Sequence, residues 1–218
     1  MKKVLLIAVA GMMMVSCTQA PKTAQEAGEV SQATQEAVVY KVDTQNSVLS
    51  WTGAKITETV HYGTVNITEG SLAFNGGNLE AGNFVIDMNS IVSLDLTEDN
   101  GKSKLEGHLK SGDFFMTEQF PTAKFEVTSA SPLTGVEGAT HTISGNLTIK
   151  DVTKGITFPA NVSLTEGGVT ATAKFSINRN EWGVVWGGTL TEQGIKDFLQ
   201  NNLIKDEIEF DVKLAAAV

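Results

Sequence analysis

The sequence has little positive charge and contains no basic run. Its 218 residues carry 16 Lys and Arg against 25 Asp and Glu, which gives a formal net charge of -9. Proteins that bind nucleic acid neutralise its phosphates with clustered Lys and Arg. The composition therefore argues against a nucleic-acid partner. Nothing typical of a linker interrupts the middle of the chain, so we predict one folded domain.

The sequence also lacks the usual motifs of enzymes and metal centres. There is no HExxH spacing, no GxSxG elbow and no Walker or dinucleotide glycine motif. His61, His108 and His141 are far apart in the chain. His108, Ser111 and Asp113 leave a hydrolase open as an alternative, but no glycine-rich oxyanion loop accompanies them. We interpret them as capping and loop hydrogen bonds, and we predict no enzymatic activity, no cofactor and no metal.

Cysteine occurs once, at Cys17, directly after an apolar run over residues 4–15. The run follows two lysines and is too short to span a bilayer as a stable helix, which is typical of an export signal. Ser16 before Cys17 resembles a lipoprotein processing site, and acylation would protect a lone exported thiol. We predict a signal peptide over residues 1–16 and an exported lipoprotein of the cell envelope, periplasm-facing or surface-exposed. An ordinary secretory signal with an incidental cysteine is the alternative.

The segment after Cys17 is rich in Thr, Gln, Ala and Glu and has no aromatic side chain before residue 38. Such a segment buries too little apolar surface to order itself. We therefore predict that residues 17–37 comprise the lipidated Cys17 and a flexible tether, about 25 Å long as a coil. A short amphipathic helix is the alternative, since Ala, Gln and Glu suit a helix.

From Tyr40 onward the chain alternates apolar and polar residues with a period of two. Such alternation buries one face of each strand and is typical of antiparallel sheets. Gly76-Gly77 and Gly167-Gly168 predict tight hairpin turns. The pattern predicts eight or nine strands, spaced as in a barrel or a sandwich. The predicted strands cover residues 47–57, 60–66, 70–75, 83–89, 142–149, 156–164, 169–177 and 207–214.

Two segments break this alternation. Residues 104–110 predict a short helix with Leu105 and Leu109 on one face, and two aromatic residues follow it as in a lid over the end of a sheet. Residues 191–202 predict a second helix, across the outside or an open end of the sheet. Its apolar residues at helical spacing are Ile195, Phe198 and Leu199. Pro159, on an outward position, predicts a sheet edge or a bulge.

The first of these segments carries a resemblance to a known family. GHLKSGDFF at residues 107–115, followed by FPTAKFEV at residues 120–127, resembles the central motif of the YceI-like family, the lipocalin-like polyisoprenoid-binding proteins of bacterial envelopes. Met116 departs from the pattern, where an acidic residue is expected. The resemblance covers Tyr40 to the C-terminus and implies an eight-stranded antiparallel lipocalin-like barrel over residues 38–218, with one or two short helices. Weaker matches in the same order lie at residues 42–47, 70–74, 88–91, 144–149 and 177–183.

The inward-facing rows mix small residues with large ones, and Gly145, Ala160, Ala171 and Ala173 are the small ones. An eight-stranded barrel is just wide enough to be filled by side chains or to hold one small ligand, and small inward residues favour an open lumen. A packed core in which the alanines suit the taper of the barrel is the alternative. The residues that we predict to bind the ligand are Phe84, Ile86, Met88, Phe125, Leu147, Ala171, Ala173, Phe175, Arg179 and Trp182.

Arg179 is the most informative polar residue, because it continues an inward row and a buried arginine needs a partner. It either meets the polar head of a ligand near the mouth of the barrel or pairs with a structural carboxylate such as Asp113 or Glu181, unless a slip turns it to solvent. The structural role is the one we favour. Trp182 and Trp186 either form an aromatic wall at the same end or are ordinary packing residues.

The residues alone imply a binding site for an apolar chain, and the resemblance implies an isoprenoid such as a prenyl diphosphate or an isoprenoid quinone. We predict an envelope carrier, scavenger or sensor of such a lipid, attached to the membrane through Cys17. The alternative is a solid-core stress-response or interaction protein that binds a partner on its outer face or on the second helix. The sequence leaves a homodimer open.

Overall fold

The computed structural model describes residues 24–57, 59–186, 192–199 and 203–218. Within these residues the chain forms nine strands and two α-helices. The strands are β1 Val38–Val42, β2 Val48–Lys55, β3 Val60–Asn75, β4 Asn78–Ser93, β5 Thr122–Pro132, β6 His141–Ile149, β7 Val152–Thr165, β8 Gly168–Asn178 and β9 Ile204–Ala217, and the helices are α1 Lys102–Lys110 and α2 Glu192–Leu199. The predicted signal peptide and Cys17 lie outside the described residues.

The strands pair antiparallel and close into a barrel with eight positions. The order around the ring is β3-β2-β9-β8-β7-β6-β5-β4, and β4 pairs again with β3. β1 and β2 share one position, because both pair with β3 on one side and with β9 on the other. The turn between them is stabilised by the Asp43 carboxylate, which accepts hydrogen bonds from the Asn46 side chain and the Gln45 amide. The prediction of an all-β, antiparallel eight-stranded barrel is confirmed.

The two ends of the barrel carry different connections. At one end, which we call the far end, two-residue turns join β3 to β4 and β7 to β8. Gly76 and Gly77 have φ angles of 57° and 87°, a conformation that favours glycine, and the predicted turn is present. At the opposite end, which we call the mouth end, the long connections from β4 to β5 and from β8 to β9 include both helices.

β3 is one continuous strand, whereas the sequence predicts two, over residues 60–66 and 70–75. Its register against β4 shifts between Thr64 and Asn66 and again between Ile67 and Glu69. At the second shift β3 has one extra residue, which bends the strand without ending it and explains the break in the apolar alternation. A Cβ at Gly70 would lie 2.9 Å from Phe84 Cδ1, so this bend brings β3 close to the ring of β4.

The barrel wall is split between β7 and β8 in the half nearest the mouth end. Backbone pairing joins Ala160–Thr165 to Gly168–Ala173, and on the mouth side of Ala160 no pairing of these two strands is present. The Ala160 carbonyl accepts from the Thr140 amide on the β6 side. The backbone groups of successive residues in a strand point to opposite sides, so those of Pro159 point toward β8. Because the pairing with β8 ends at this position, no N–H donor is needed there, and proline is tolerated. The predicted edge at Pro159 agrees with this position.

Residues 24–37 form an N-terminal strap that lies across the outside of the barrel from the mouth end to the far end. Gln25 exchanges two backbone hydrogen bonds with Gly155 of β7, at 2.8 and 2.9 Å. The Asn146 side chain of β6 bonds to both the amide and the carbonyl of Gly28, at 2.9 and 2.8 Å. Ser31 bonds to β5, and the Thr34 amide and hydroxyl both donate to Glu80 of β4.

For the described part of the predicted tether, residues 24–37, the structure therefore shows an ordered path along the barrel instead of a flexible coil or a helix. The physical reason is the split in the wall. β7 presents an unpaired backbone edge beside β8, and a polar segment with little apolar surface orders there by pairing its own backbone with that edge. Ala24 also packs against the core.

Both predicted helices are present with altered bounds. α1 begins two residues earlier than predicted, and Leu105, His108 and Leu109 of this helix face the barrel interior. The Glu106 carboxylate accepts from the Ser93 amide at 2.8 Å and holds α1 on the end of β4. α2 covers part of the predicted range. Ile195 is 61% exposed, while the side chains of Phe198 and Leu199 lie outside the description.

Candidate functional site

An apolar cavity of about 860 Å³ occupies the barrel interior and reaches the mouth end. Strands β2 to β9 all contribute to its lining, and the helix α1 covers part of the opening. Cavities that hold small molecules in proteins measure about 300–1,000 Å³, so this one is near the upper limit. The predicted open lumen is present, and the alternative of a core packed solid by its own side chains does not describe this barrel.

The small inward residues open the lumen in two ways. Ala160, Ala171 and Ala173 line the cavity directly on β7 and β8. Gly145 instead lies beneath an aromatic ring, since a Cβ at this position would be 2.3 Å from Phe125 Cζ. The absence of a side chain at Gly145 thus makes room for the Phe125 ring against the wall.

A belt of five phenylalanine rings surrounds the cavity. The ring centroids of consecutive members are 6.3, 5.6, 4.3 and 5.4 Å apart, and the closest pair, Phe158 on β7 and Phe175 on β8, is stacked at 12°. This stacked pair bridges the strands where their backbone pairing is missing. Trp51 of β2 continues the belt opposite Phe210. The members of the aromatic belt are Phe84, Phe125, Phe158, Phe175 and Phe210.

Nine of the ten predicted ligand-binding residues line the cavity, and Trp182 does not. The Trp182 side chain is buried behind the wall and donates from Nε1 to the Leu147 carbonyl at 2.9 Å. The strand alternation ends at Asn178, whose side chain caps a 3₁₀ turn over Arg179–Trp182. The inward row therefore does not extend to Trp182, and its predicted position in the wall of the lumen is wrong. Trp186 does line the opening.

Arg179, the only arginine of the sequence, lines the cavity near the mouth end and is 1% exposed. Its partners are neither Asp113 nor Glu181. Its guanidinium donates to the carbonyls of Val184 at 2.6 Å, Lys205 at 3.1 Å and Ile204 at 3.4 Å, and it lies 3.7 Å from Asp206 Oδ1.

These contacts join the β8–β9 connection to the start of β9, so Arg179 is a structural brace in the cavity wall. Burial lowers the pKa of its guanidinium, and the nearby Asp206 opposes this effect. The favoured structural role is correct in kind, but the suggested carboxylate partners are wrong.

Polar side chains surround the opening at the mouth end. His61 lines it, and its Nδ1 lies 2.7 Å from Asp95 Oδ2. Asp95 also accepts from the Tyr62 amide and the Ser93 hydroxyl. Burial acts to raise the pKa of Asp95, but these hydrogen bonds outweigh it and hold that pKa below its ordinary value. The other polar residues of the opening are Lys55, Asn100, Lys104, His108, Lys205 and Glu207.

The structure does not arrange His108, Ser111 and Asp113 as a nucleophile set. The Ser111 hydroxyl donates to the backbone carbonyl of His108 at 2.8 Å rather than to the imidazole. His108 Nε2 lies 3.1 Å from Asp113 Oδ2, and the ring makes edge contacts with Phe114 and Trp186. These residues tie the end of α1 to the loop that follows it and close one side of the opening.

Two further observations concern the described residues alone. In that part of the chain no group of three or more His, Cys, Asp or Glu side chains is placed to hold a metal ion. None of the helices found there is long and apolar enough to cross a membrane.

Several residues of the cavity are absent from the predicted binding set. Phe158 and Phe210 occupy inward positions of rows that the alternation identifies, so the signal for them was available. Leu105 and Leu109 reach the cavity from α1, and their one-turn spacing was a signal for a lid. Trp51 had no comparable signal, because its position depends on the pairing of β2 with β9.

Comparison with known proteins places this barrel among others of the same architecture. A family model described as a YceI-like domain matches residues 40–216. The crystal structure of BcnA from Burkholderia cenocepacia covers 81% of this chain and 99% of its own, at 20% identity and a TM-score of 0.59. A structure described as a polyisoprenoid binding domain from Saccharophagus degradans, implicated in plant cell wall breakdown, covers 82% and 98%, at 19% identity and a TM-score of 0.56. At these identities the likeness shows the shared fold.

Curated relatives are similar over part of their length. Protein YceI of Salmonella newport is 30% identical over 130 residues, which are 58% of this chain and 62% of that protein. A UPF0312 protein of Pseudomonas aeruginosa is 33% identical over 101 residues, 46% of this chain and 48% of that protein. The match to the Pseudomonas protein thus spans about half of that protein's length.

Proposed function

Because the chain belongs to the YceI-like family, we propose that its barrel binds the apolar tail of an isoprenoid-type lipid in the lumen. The observation that carries the proposal is the cavity of about 860 Å³, open at the mouth end and lined by aliphatic side chains and the aromatic belt. The structural neighbour described as a polyisoprenoid binding domain supports the same class of ligand.

The proposed binding rests on burial and shape rather than on polar contacts. Each buried methylene group of a guest contributes about 0.8 kcal/mol, so a long chain gains affinity along its whole length. Branched isoprene units suit a lumen lined by rings and alanines, because flat rings and small side chains leave gaps for methyl branches. The polar residues at the opening leave the head group of the lipid near water.

The two alternative functions are less well supported. A solid-core interaction protein requires a filled interior, and this barrel has an open one. A hydrolase centred on His108 requires a nucleophile within reach of the imidazole, and the Ser111 hydroxyl bonds to the backbone instead. We propose a binding protein without catalysis, exported as a lipoprotein anchored at Cys17, that carries, scavenges or senses its lipid in the cell envelope.

Plugging the lumen tests lipid binding directly. Ala171→Trp and Ala173→Trp place an indole in the cavity, while Thr170→Trp, at an exposed position of the same strand, is the matched control. Organic extracts of natively purified protein are analysed by mass spectrometry. We expect an isoprenoid-type lipid from the wild type and from Thr170→Trp, and none from the two alanine variants. Retention of the same lipid by both alanine variants would refute the proposal.

A series of prenols of increasing length measures the contribution of the lumen. Affinity, followed by displacement of a fluorescent fatty acid, should rise about fourfold for each additional buried methylene until the cavity is full. Beyond that length the affinity should stay constant. Equal affinity for short and long prenols would contradict binding in the lumen.

A further inference from the structure

The N-terminal strap decides at which end of the barrel the preceding chain leaves. β1 begins at the far end, where Val38 pairs with Phe74 beside the Gly76-Gly77 turn. Without the strap, the chain before Val38 would leave the molecule there. The strap runs back along the outside, and Gln25 pairs with Gly155, three residues from the mouth end of β7. The chain therefore leaves the described structure at the mouth end, beside the opening of the cavity.

The length of chain before the strap is short. Seven residue steps separate Cys17 from Ala24, which reach at most about 25 Å when fully extended. From Cys17 to Val38 there are 21 steps, which reach about 70 Å. If Cys17 is held in a bilayer, the docked strap keeps the mouth end within about 25 Å of the anchor. With the strap undocked, the anchor would be connected to the far end by a chain that reaches about 70 Å.

Exposed large apolar side chains occur at both ends of the barrel, and those at the mouth end lie at the end where the chain leaves the strap. Monomeric soluble proteins rarely expose clustered large apolar residues, and such patches mark contacts with proteins or membranes. Four of those at the mouth end belong to the β2–β3 hairpin and its neighbour Leu94, whose amide bonds to the Tyr62 carbonyl. The residues of this apolar rim, with their exposed fractions, are Ile56 at 43%, Val60 at 49%, Tyr62 at 49%, Leu94 at 58%, Val185 at 42% and Ile195 at 61%.

We propose that the mouth end of the barrel rests on the lipid bilayer that holds the Cys17 anchor, with the apolar rim against the membrane surface and the strap fixing this orientation. The inference rests on the lipid anchor of the proposed function, and it adds the contact surface. Its consequence is a path by which an apolar guest passes between bilayer and lumen without crossing bulk water. A membrane and not a protein is the partner, because the position of the chain leaving the strap selects this end.

Single fluorescent labels at the two ends test the orientation. Cys17 is the only cysteine of the sequence, and lipidation blocks its sulfur, so an introduced cysteine is the single reactive thiol. Gly107→Cys lies on α1 at the mouth end, where a Cβ meets nothing within 4 Å, and Glu137→Cys is its exposed counterpart at the far end. The lipidated full chain carries a bimane label in phosphatidylethanolamine–phosphatidylglycerol vesicles that contain a lipid with a nitroxide head group.

We expect the nitroxide lipid to quench most of the fluorescence at Gly107→Cys and none at Glu137→Cys. Asn146→Ala combined with Gly155→Val releases the mouth-side half of the strap, because it removes both bonds to Gly28 and places a side chain against the Glu26 carbonyl, 2.8 Å from the Gly155 Cβ position. In this variant the difference between the labels should disappear. Glu80→Ala, which releases only Thr34 near the far end, is the matched control and should preserve it.

Equal quenching at both ends of the wild type, or stronger quenching at Glu137→Cys, would overturn the orientation. A label at Gly107→Cys that is shielded from solvent but not quenched would show a protein on the rim and overturn it as well, as would an unmodified Cys17 in the mass of the N-terminal peptide. Ala173→Trp separates this inference from lipid binding, since a plugged lumen should lose the guest and keep the quenching difference.

Discussion

The far end and the mouth end of the barrel are built by different kinds of contact. At the far end, two-residue turns close two of the three hairpins, and Phe74 fills the interior, 3% exposed and in edge contact with Tyr40 at 5.8 Å. At the mouth end, a buried arginine, a helix and a polar rim surround an opening. Local sequence specifies the far end, whereas contacts between distant parts of the chain specify the mouth end, where the proposed function lies.

The largest expected effect comes from removing the brace at the mouth end. Arg179→Met leaves the carbonyls of Val184, Ile204 and Lys205 without their donor and Asp206 without its cation, and it should lower the free energy of unfolding by about 3–5 kcal/mol. Lys174→Met, which breaks an exposed pair between β8 and Asp211 of β9, should change the free energy of unfolding far less. Urea unfolding measures both, and similar losses would contradict the assigned role of Arg179.

A smaller effect is expected in the aromatic belt, midway between the two ends. Gly145→Ala places a Cβ 2.3 Å from Phe125 Cζ and 2.7 Å from the Glu126 carbonyl oxygen, so it should destabilise the protein by about 1–3 kcal/mol. Gly53→Ala on β2 is the matched control, because a Cβ there meets nothing within 4 Å. Thermal melting distinguishes the two, and an unchanged midpoint for Gly145→Ala would show that the belt tolerates rearrangement.

The polar rim predicts an acid-dependent part of the stability. The pKa of Asp95 is lowered in the folded state, so its contribution is present above its ordinary value of 3.8 and is lost as the pH falls through the lower folded value. Asp95→Asn should therefore reduce the free energy of unfolding near neutral pH and flatten its fall in acid. Urea titrations between neutral and strongly acidic pH test this, and parallel curves for the two proteins would count against it.

The smallest effect on stability is expected for the apolar rim itself. Leu94→Ser at the mouth end and Val136→Ser at the far end replace exposed side chains, and each should change the free energy of unfolding by less than about 0.5 kcal/mol. Sedimentation of the non-lipidated protein with vesicles should decrease for Leu94→Ser only. An equal decrease in vesicle binding for both variants would show that the two ends of the barrel do not differ in their contact with the membrane.

The alternation of apolar residues predicted the antiparallel strands because it is a local signal, whereas the choice of a barrel came from the family resemblance. The rows through Ala160, Ala171 and Ala173 fall on the lumen side as expected, since each strand keeps its period. Trp182 was misplaced because Asn178 ends the strand and starts a turn, after which the alternation has no meaning.

The strap and the partners of Arg179 could not be predicted from the sequence. The strap has the composition of a disordered segment, and it is ordered by an edge of β7 that exists only because β8 diverges. The partners of Arg179 are backbone carbonyls from residues that follow it by up to 26 positions, and a carbonyl is present at every residue whatever its type. The partners of Arg179 therefore leave no mark on residue identity, and the strap leaves one only at isolated positions such as Asn146 and Gly155.

The split between β7 and β8 makes the mouth-side half of this seam the weakest part of the barrel wall. A backbone ladder would resist widening with many hydrogen bonds, whereas this half of the seam is bridged by the stacked rings of Phe158 and Phe175, whose centroids are 4.3 Å apart. Separating one such pair costs about 0.5–1.5 kcal/mol beyond the loss of buried area. We therefore expect a bulky guest to widen the barrel at this half of the seam first, because six residue pairs from Ala160–Ala173 to Thr165–Gly168 still hold the other half.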